Sequence, residues 1–442
     1  MARFGGDQGS PALANPYAVY YNPAAMGGTQ RTSLTLDVTG ILRSASYDRP
    51  TLVDIGKVRS PEDIASNTGR ASLSNFIPLP YFSLTSNLGT KSFRIGYAVY
   101  VPFGGTSKWG QTSNFPTVPG GIDGPQRWHS IHGSLLALNN TVAASYTFQT
   151  IGLSLGASVS AIYNRAQSLR ARNLVGNDDT SIEGRSLVDA SGFNVGMAFG
   201  LYWEDQHLWV TDLRGKQVPR LRMGLSYTSQ PGFGTTRMSG TLDTAFAGGK
   251  PASKDVDVLQ DYPDIVRAGV AYRVLPSLDI RGDFEFVRWS TFKSQCVVMR
   301  GANCDVNDNG ASAKDAAGNE VVVVNVFRRM QDSVGFRLGA NWEFRRGTEL
   351  FGGGMVTTSA ISKEYIDAGL IDSTRIYGTL GIRHQFNDHF TFGISYNHIY
   401  FVPVTTTESK ASTFIGASAN PDANGTYKSQ WMMLNANGTV SF

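Results

Sequence analysis

Runs of about ten residues, in which apolar and polar side chains alternate, recur along the chain. In residues 331–344, for example, Phe336 and Leu338 fall on one face, and Arg337 and Gly339 fall on the other. This period of two is that of a β-strand with two different faces. A strand that crosses a membrane within a barrel needs ~9–11 residues, apolar toward lipid and mixed toward the lumen. The pattern therefore predicts an all-β transmembrane barrel.

Fourteen runs of this kind are predicted to be strands, an even number as single-chain bacterial barrels require. The predicted strands are 32–43, 76–87, 91–101, 134–148, 151–165, 191–203, 220–230, 262–274, 277–289, 331–344, 348–358, 373–386, 389–401 and 428–442. Short and long connections alternate between them, which is typical of periplasmic turns and outer loops. The connection 204–219 is too long for a turn, and we interpret it as an insertion.

Composition favours a barrel over other classes. The chain has 49 glycines, 17% charged residues and 11% aromatics, which suits many strands with tight turns and an aromatic girdle. No stretch approaches the ~20 apolar residues of a membrane helix. A net charge of +4, evenly spread, gives no reason to expect a nucleic-acid partner.

An enzyme is not predicted. Residues 152–156 match the Gly-x-Ser-x-Gly pattern, which in a hydrolase needs a sharp turn from strand to helix. Here the pattern lies inside an alternating run, so Ser154 is expected to be a small strand residue that faces the lumen. A barrel lipase or protease would instead need a Ser/His/Asp cluster at one rim, and no nucleotide-binding motif is visible.

The two ends of the chain support an outer-membrane protein. Residues 1–31 do not alternate and are rich in Gly, Pro, Ala and Asn. Because a large barrel leaves a lumen that is either plugged or open, we predict a hatch over 1–31 and a barrel over 32–442. The last strand ends on Phe442, the usual signal for barrel assembly. No signal peptide is present, and the strand pattern favours one that has been removed.

The connection 290–330 contains both cysteines of the chain, Cys296 and Cys304. Two cysteines this close in a polar loop predict a disulfide and an oxidising compartment, with two free thiols as the alternative.

The same loop contains a partial calcium motif. Asp305, Asn307 and Asn309 fit the first half of a calcium-binding loop, followed by Gly310. The twelfth position is Ala316 instead of Glu, so a flexible acidic loop is the alternative. No cofactor is required, and Ca²⁺ in this outer loop is the single candidate.

Strand parity directs many charged side chains into the lumen. The inward arginines are Arg222, Arg267, Arg273, Arg281, Arg337 and Arg383, and the inward acids include Asp279, Asp283, Glu285 and Glu343. Charge facing lipid is costly, so an ion-paired interior that holds the hatch explains this placement. A sharper hypothesis is that one or two arginines, such as Arg281 and Arg337, bind a ligand carboxylate.

Four motifs in order resemble the FadL-type outer-membrane transporters of fatty acids and aromatic hydrocarbons. They are Asn22-Pro23-Ala24 before the first strand, Val101-Pro102-Phe103-Gly104-Gly105 at the end of the third, residues 221–229, and residues 288–292. The resemblance implies a fourteen-stranded barrel with an N-terminal hatch that has Asn22, Pro23 and Ala24 at its core. It also implies a lateral path opened by hatch movement and by an inward kink near Gly96 and Pro102. The long acidic loop 290–330 is not a family feature.

Together these features predict passive outer-membrane uptake of long-chain fatty acids or similar hydrophobic molecules, gated by the hatch and a lateral opening. Capture is expected on apolar loop residues around Phe103, Trp109, Phe115 and Trp128. The barrel is expected to be a monomer surrounded by outer-membrane lipid and lipopolysaccharide. The alternative is a surface or secretion-associated barrel that binds a protein partner through its long outer loops. A hatch would block the permanent pore of an aqueous porin.

Overall fold

The predicted runs form a closed antiparallel barrel in the structure, a computed structural model that describes residues 4–50, 60–111, 120–411 and 416–442. The strands in chain order are β1 (Ser33–Arg49), β2 (Gly69–Ser86), β3 (Phe93–Lys108), β4 (His132–Phe148), β5 (Leu153–Arg172), β6 (Gly184–Glu204), β7 (Trp209–Thr211), β8 (Gln217–Pro219), β9 (Leu221–Thr228), β10 (Thr236–Ala245), β11 (Ala252–Gln260), β12 (Ile265–Leu275), β13 (Leu278–Val287), β14 (Ser294–Met299), β15 (Val322–Phe327), β16 (Ser333–Arg345), β17 (Thr348–Thr357), β18 (Arg375–Gln385), β19 (Phe390–Thr406) and β20 (Gly425–Ser441). Fourteen of them form the barrel, and β20 pairs with β1 to close it. The predicted fold class is confirmed.

Helical segments are short. They are α1 (Ala18–Tyr21), α2 (Pro61–Ser66) and the 3-10 turns Pro23–Gly28, Gly121–Asp123, Pro125–Trp128, Thr180–Ile182, Pro231–Phe233, Trp289–Thr291 and Gly416–Ser418. Among the described residues, none of the helices has the length and apolar character needed to span a membrane.

Several strands extend further at their outer ends than predicted. β1 continues to Arg49 instead of residue 43, and β6 begins at Gly184 instead of 191. In the added part of β1, Ala45, Ser46 and Tyr47 are all buried, so exposed and buried positions no longer alternate. Alternation reports on contact with lipid, and it ends where the strands leave the membrane and are covered by loops.

Four additional strands extend the wall above the membrane. β10 pairs with the upper part of β6, and β11, β14 and β15 follow in order. One face of this extension packs on Leu135 and Ala166, which belong to β4 and β5. The predicted disulfide between Cys296 and Cys304 is present and ties β14 to the chain that follows it. These strands lie within the predicted loops 231–261 and 290–330, and they have no lipid-facing side to give a pattern.

The insertion at 204–219 is a hairpin on the side of the short turns, formed by β7 and β8. Arg214 near its tip donates a hydrogen bond of 3.1 Å to Glu343 and another to Gln385. These acceptors belong to β16 and β18, whereas the hairpin leaves the wall between β6 and β9. The hairpin therefore reaches across the periplasmic mouth of the barrel.

Candidate ligand path and gate

The N-terminal segment, residues 4–32, lies inside the barrel, and the wall makes room for it with glycines. A Cβ added at Gly156 would overlap the backbone nitrogen of Ala24, and one at Gly224 would overlap the carbonyl of Pro11. Close approach of two backbones is a common reason for glycine inside a strand. The segment therefore contacts the wall through backbone as well as side chains.

Asn22, Pro23 and Ala24 are buried at the centre of this segment, and Asn22 and Ala24 have no exposed surface. The Asn22 side chain accepts a hydrogen bond of 3.1 Å from the backbone N–H of Ala24, which caps the Pro23–Gly28 turn. Its amide nitrogen donates to the carbonyls of Pro11 (2.8 Å) and Leu201 (2.9 Å). Asn22 thus joins two parts of the segment to β6. A role of this motif in gating stays a prediction.

One side of the segment is held by buried charge. Asp7 is 0% exposed and contacts Arg281 of β13, and one of its oxygens lies 3.5 Å from an Nη of Arg337 of β16. Arg337 also pairs with Asp283, which accepts a 2.5 Å hydrogen bond from Ser10. Such charge-assisted contacts are stronger than neutral hydrogen bonds.

Each of the six inward arginines named from the sequence has a carboxylate partner. The pairs are Arg222–Asp279, Arg267–Glu285, Arg273–Asp279, Arg281–Asp7, Arg337–Asp283 and Arg383–Glu349. The interpretation as an ion-paired interior is therefore the one that the geometry supports. Arg281 and Arg337 both contact Asp7 of the N-terminal segment, so a ligand carboxylate would have to compete with these contacts, and ligand binding by either arginine stays a prediction. Strand parity gives the direction of a side chain, but it does not identify the partner.

The opposite side of the segment is aromatic. The ring of Phe4 lies 5.0 Å from that of Tyr81 on β2 and 5.8 Å from that of Tyr100 on β3. Tyr20 lies 4.9 Å from Tyr100 and 5.2 Å from Phe4, between ring centroids. These rings belong to an apolar cluster with wall residues of β1, β2 and β3.

The wall has an unpaired stretch directly above these rings, which we call the seam. β2 pairs with β3 only up to Tyr81 opposite Tyr100, although both strands continue outward. The β3–β4 register shifts between Tyr100 and Phe103, and Val101 and Pro102 are both buried, so β3 bends inward here. This irregularity includes Pro102, one of the two positions at which a kink is expected, and its role in opening a lateral path stays a prediction. Gly96 lies in the regular ladder, where an added Cβ would come 2.6 Å from the sulfur of Met26.

Prolines in β2 explain why this strand has an unpaired edge at the seam. Pro78 and Pro80 of β2 face Gly40 and Val38 of β1, and the β1–β2 ladder is unbroken through both pairs. The side of each proline on which an N–H donor is missing therefore faces β3, where no ladder forms. Proline in sheets is confined to edges and irregularities for this reason. With Pro102 on the other side, each edge of the seam includes proline, which has no N–H to donate.

Above the seam, the apolar residues predicted to capture ligand are mostly internal. Phe103 packs against Tyr262 and Trp289, at 5.3 and 5.9 Å between ring centroids. Trp109 and Trp128 are buried within the outer loops, and Phe115 lies outside the described residues. The prediction of an exposed capture surface is wrong for the two tryptophans, because the outer loops have a core of their own.

Below the N-terminal segment, the lumen is polar. A cavity of about 180 Å³ lies between the segment and the wall. Its lining includes Gln8, Asn15, Arg222, Asp279, Glu343 and Arg383. An apolar molecule would meet paired charges here, and the hairpin that carries Arg214 closes this side.

Two further sequence motifs have local explanations. Ser154 lies in β5, is buried, and shares a 2.8 Å hydrogen bond with Thr147, as a lumen-facing strand residue should.

The side-chain oxygens of Asn307 and Asn309 both accept from the N–H of Ala311, at 2.9 and 3.0 Å. Among the described residues, no group of three His, Cys, Asp or Glu side chains is arranged for a metal ion. Calcium binding through Asp305, Asn307 and Asn309 stays a prediction.

Comparisons with known proteins agree with this architecture. The model of the outer membrane protein transport protein family (OMPP1/FadL/TodX) matches residues 4–442. The chain belongs to this family. No curated protein matches it by sequence. Membership in the family and the barrel fold place the chain in the bacterial outer membrane, as predicted.

Solved structures share the family fold at low identity. A FadL homologue of Pseudomonas aeruginosa is similar with a TM-score of 0.77, 14% identity, and coverage of 100% of this chain and 99% of that one. The toluene transporter TodX of Pseudomonas putida gives 0.64 at 14% identity, with 99% and 95% covered. The toluene transporter TbuX of Ralstonia pickettii gives 0.62 at 15% identity, with 97% and 95% covered. At these identities, the similarity establishes the fold alone.

Proposed function

We propose that the protein is a passive outer-membrane channel for long-chain fatty acids or similar hydrophobic molecules, with the seam as its lateral exit. The observation that carries this proposal is the seam itself, an unpaired stretch of wall between β2 and β3 beside an aromatic cluster. Solved relatives named as toluene transporters and monoaromatic hydrocarbon channels support a hydrophobic cargo.

The polarity of the lumen favours a sideways exit. An apolar chain gains ~0.8 kcal/mol for each CH₂ removed from water, and it keeps that gain on moving from the apolar cluster into lipid. A downward route would take it past buried ion pairs into the polar cavity lined by Arg222 and Asp279. The seam is therefore the route along which the ligand stays in apolar surroundings.

The N-terminal segment acts as the movable hatch in this proposal. Its aromatic residues Phe4 and Tyr20 pack against Tyr81 and Tyr100, which form the last pair below the seam. A ligand at the seam competes with these rings for the same apolar surface. Displacing Phe4 and Tyr20 breaks no ion pair, although Tyr20 would lose the 3.0 Å hydrogen bond that its hydroxyl accepts from Arg267.

The test uses the double variant Pro78→Val/Pro80→Val, which supplies two N–H donors and lets β2 pair with β3. Uptake of labelled oleate is measured in cells that lack their own fatty-acid transporter. We expect the variant to import oleate several-fold more slowly than the unchanged protein. Pro219→Val, in the periplasmic hairpin, is the matched control and should not slow uptake.

Equal uptake by the double variant and the unchanged protein would exclude the seam as the route. No uptake above empty cells by the unchanged protein would reject transport of fatty acids altogether. A steady ion current through the unchanged protein in planar bilayers would instead identify an open porin.

A further inference from the structure

Arg43 is a buried cation whose hydrogen-bonding capacity is largely unused. Eight arginines are buried among the described residues, and six of them form ion pairs with carboxylates. A seventh, Arg94, donates to three backbone carbonyls. Arg43, only 9% exposed, forms no ion pair within the described part of the chain, and its Nε has no partner.

The contacts of Arg43 place it behind the seam. It faces Asn75 of β2 and Trp431 of β20 in the strand register. Its Nη1 donates a single hydrogen bond, 3.3 Å long, to the carbonyl of Thr106 on the bent part of β3. The guanidinium carbon lies 6.0 Å from the centre of the Trp431 ring. The bond to Thr106 thus spans from β1 to β3 where β2 and β3 form no backbone ladder and are joined through the Asn75 side chain, which bonds to the backbone of Lys108.

Apart from Asn75, whose amide is bonded to the backbone of Lys108, the neighbours of Arg43 named here are apolar. Ile41 is the next inward residue of β1 on one side, and it belongs to one cluster with Ile77, Leu79 and Trp431. A guanidinium offers five N–H donors, and burying a charge without partners is costly. Such a site binds a carboxylate well, because the planar fork of arginine matches it with two parallel hydrogen bonds.

We infer that Arg43 binds the anionic head of an amphiphilic ligand at the seam, in competition with the carbonyl of Thr106. The inference rests on the proposed function. The ligand class is an apolar chain with one terminal carboxylate, its tail lying on the cluster that contains Ile41, Ile77 and Leu79. When the head takes the place of Thr106 as acceptor, the bent segment of β3 loses its tie to β1. Head-group binding and loosening of the seam are therefore coupled.

The test compares two probes of equal chain length, dodecanoate and 1-dodecanol, on the full chain in detergent at pH 8. We expect the unchanged protein to bind dodecanoate about 10- to 100-fold more tightly, the usual effect of a hydrogen bond to a charged group. Arg43→Gln should lose this preference and bind dodecanol as before. Arg43→Lys, which keeps the charge but loses the fork, should fall between them.

Arg70→Gln is the matched control, because its side chain is on neighbouring β2 but 65% exposed. It should keep the preference of the unchanged protein. A second readout is hydrogen exchange in peptides covering residues 101–111, which should rise with dodecanoate and stay constant in Arg43→Gln. Heat-induced mobility shifts on gels confirm that each variant is a folded barrel.

Equal affinity of the unchanged protein for both probes, or an unchanged preference in Arg43→Gln, would overturn the inference while leaving hydrophobic transport intact. A preference without any change in exchange over residues 101–111 would overturn the coupling to the seam. If the unchanged protein binds neither probe, the proposed function fails as well.

Discussion

The charge balance around Asp7 gives a quantitative prediction for the N-terminal segment. Asp7 is fully buried beside Arg281 and Arg337, and Asp283 is the other carboxylate paired with Arg337. Two positive and two negative charges therefore balance at this contact. Asp7→Asn removes one negative charge and leaves the arginines with a surplus of one.

The size of the effect follows from what remains. Removing one partner of a buried ion pair costs about 3–5 kcal/mol, because the other charge stays buried. The lower end, about 3 kcal/mol, is expected here, since the Asn side chain still accepts a hydrogen bond and Arg337 keeps Asp283. At 1.4 kcal/mol for each factor of ten, the displaced state of the segment should become about 100-fold more populated.

The assay is limited proteolysis of the folded barrel, with cleavage within residues 4–32 followed by mass spectrometry. When opening is fast relative to cleavage, the rate follows the population of the open state. Asp7→Asn should therefore be cleaved about 100-fold faster, and planar bilayers should show more frequent opening events. Asp388→Asn is the control, because that side chain is 74% exposed and lies 3.9 Å from Arg31.

A second change tests the reasoning. Arg281→Gln added to Asp7→Asn restores the charge balance and should recover part of the resistance to cleavage. If Asp7→Asn is cleaved no faster than Asp388→Asn, buried charge does not hold the segment. If the double variant is cleaved faster than Asp7→Asn, the surplus positive charge is not the cause.

Three further predictions concern the hatch, the outer loops and calcium. Gly156→Ala should displace the backbone at Ala24 and speed cleavage of the N-terminal segment, whereas Gly105→Ala, with open space around its Cβ, should not. Cys296→Ser should destabilise the extension by about 2–3 kcal/mol, from the entropy of a closed loop of this size, and calorimetry under reducing and oxidising conditions measures this. If Asp305 helps to bind calcium, about 1 mM CaCl₂ should raise the melting temperature of the outer loops above the value measured in EDTA. Identical melting curves in CaCl₂ and in EDTA would exclude the calcium site.

The barrel could be predicted from the sequence because lipid imposes a period of two on every strand that crosses the membrane. The strands β10, β11, β14 and β15 were missed, since they lie above the membrane with protein on their inner face. The seam had a readable signal in Pro78 and Pro80, because proline within a predicted strand indicates an edge. Without a strand order and register, however, that edge could not be assigned to the β2–β3 boundary.

Side-chain partners were less predictable than side-chain directions. Parity placed Arg281 and Arg337 in the lumen correctly, but their partner Asp7 lies more than 270 residues away in sequence. Arg43, at the end of the predicted first strand, has no unusual feature in the sequence. What distinguishes it is that no carboxylate among the described residues pairs with it, and that depends on how the surrounding strands are staggered.

The two sides of the N-terminal segment differ in what their release would cost, and this difference gives the gate a direction. On the charged side, release leaves Arg281 or Asp7 buried without its partner, at about 3–5 kcal/mol. On the aromatic side, an apolar ligand that replaces Phe4 against Tyr81 covers the same surface, so little burial is lost. In the proposed mechanism, a ligand at the seam would therefore displace the aromatic side first, and the charged contacts would keep the segment inside the barrel while it moves. The proposed lateral release without an open aqueous pore rests on that asymmetry.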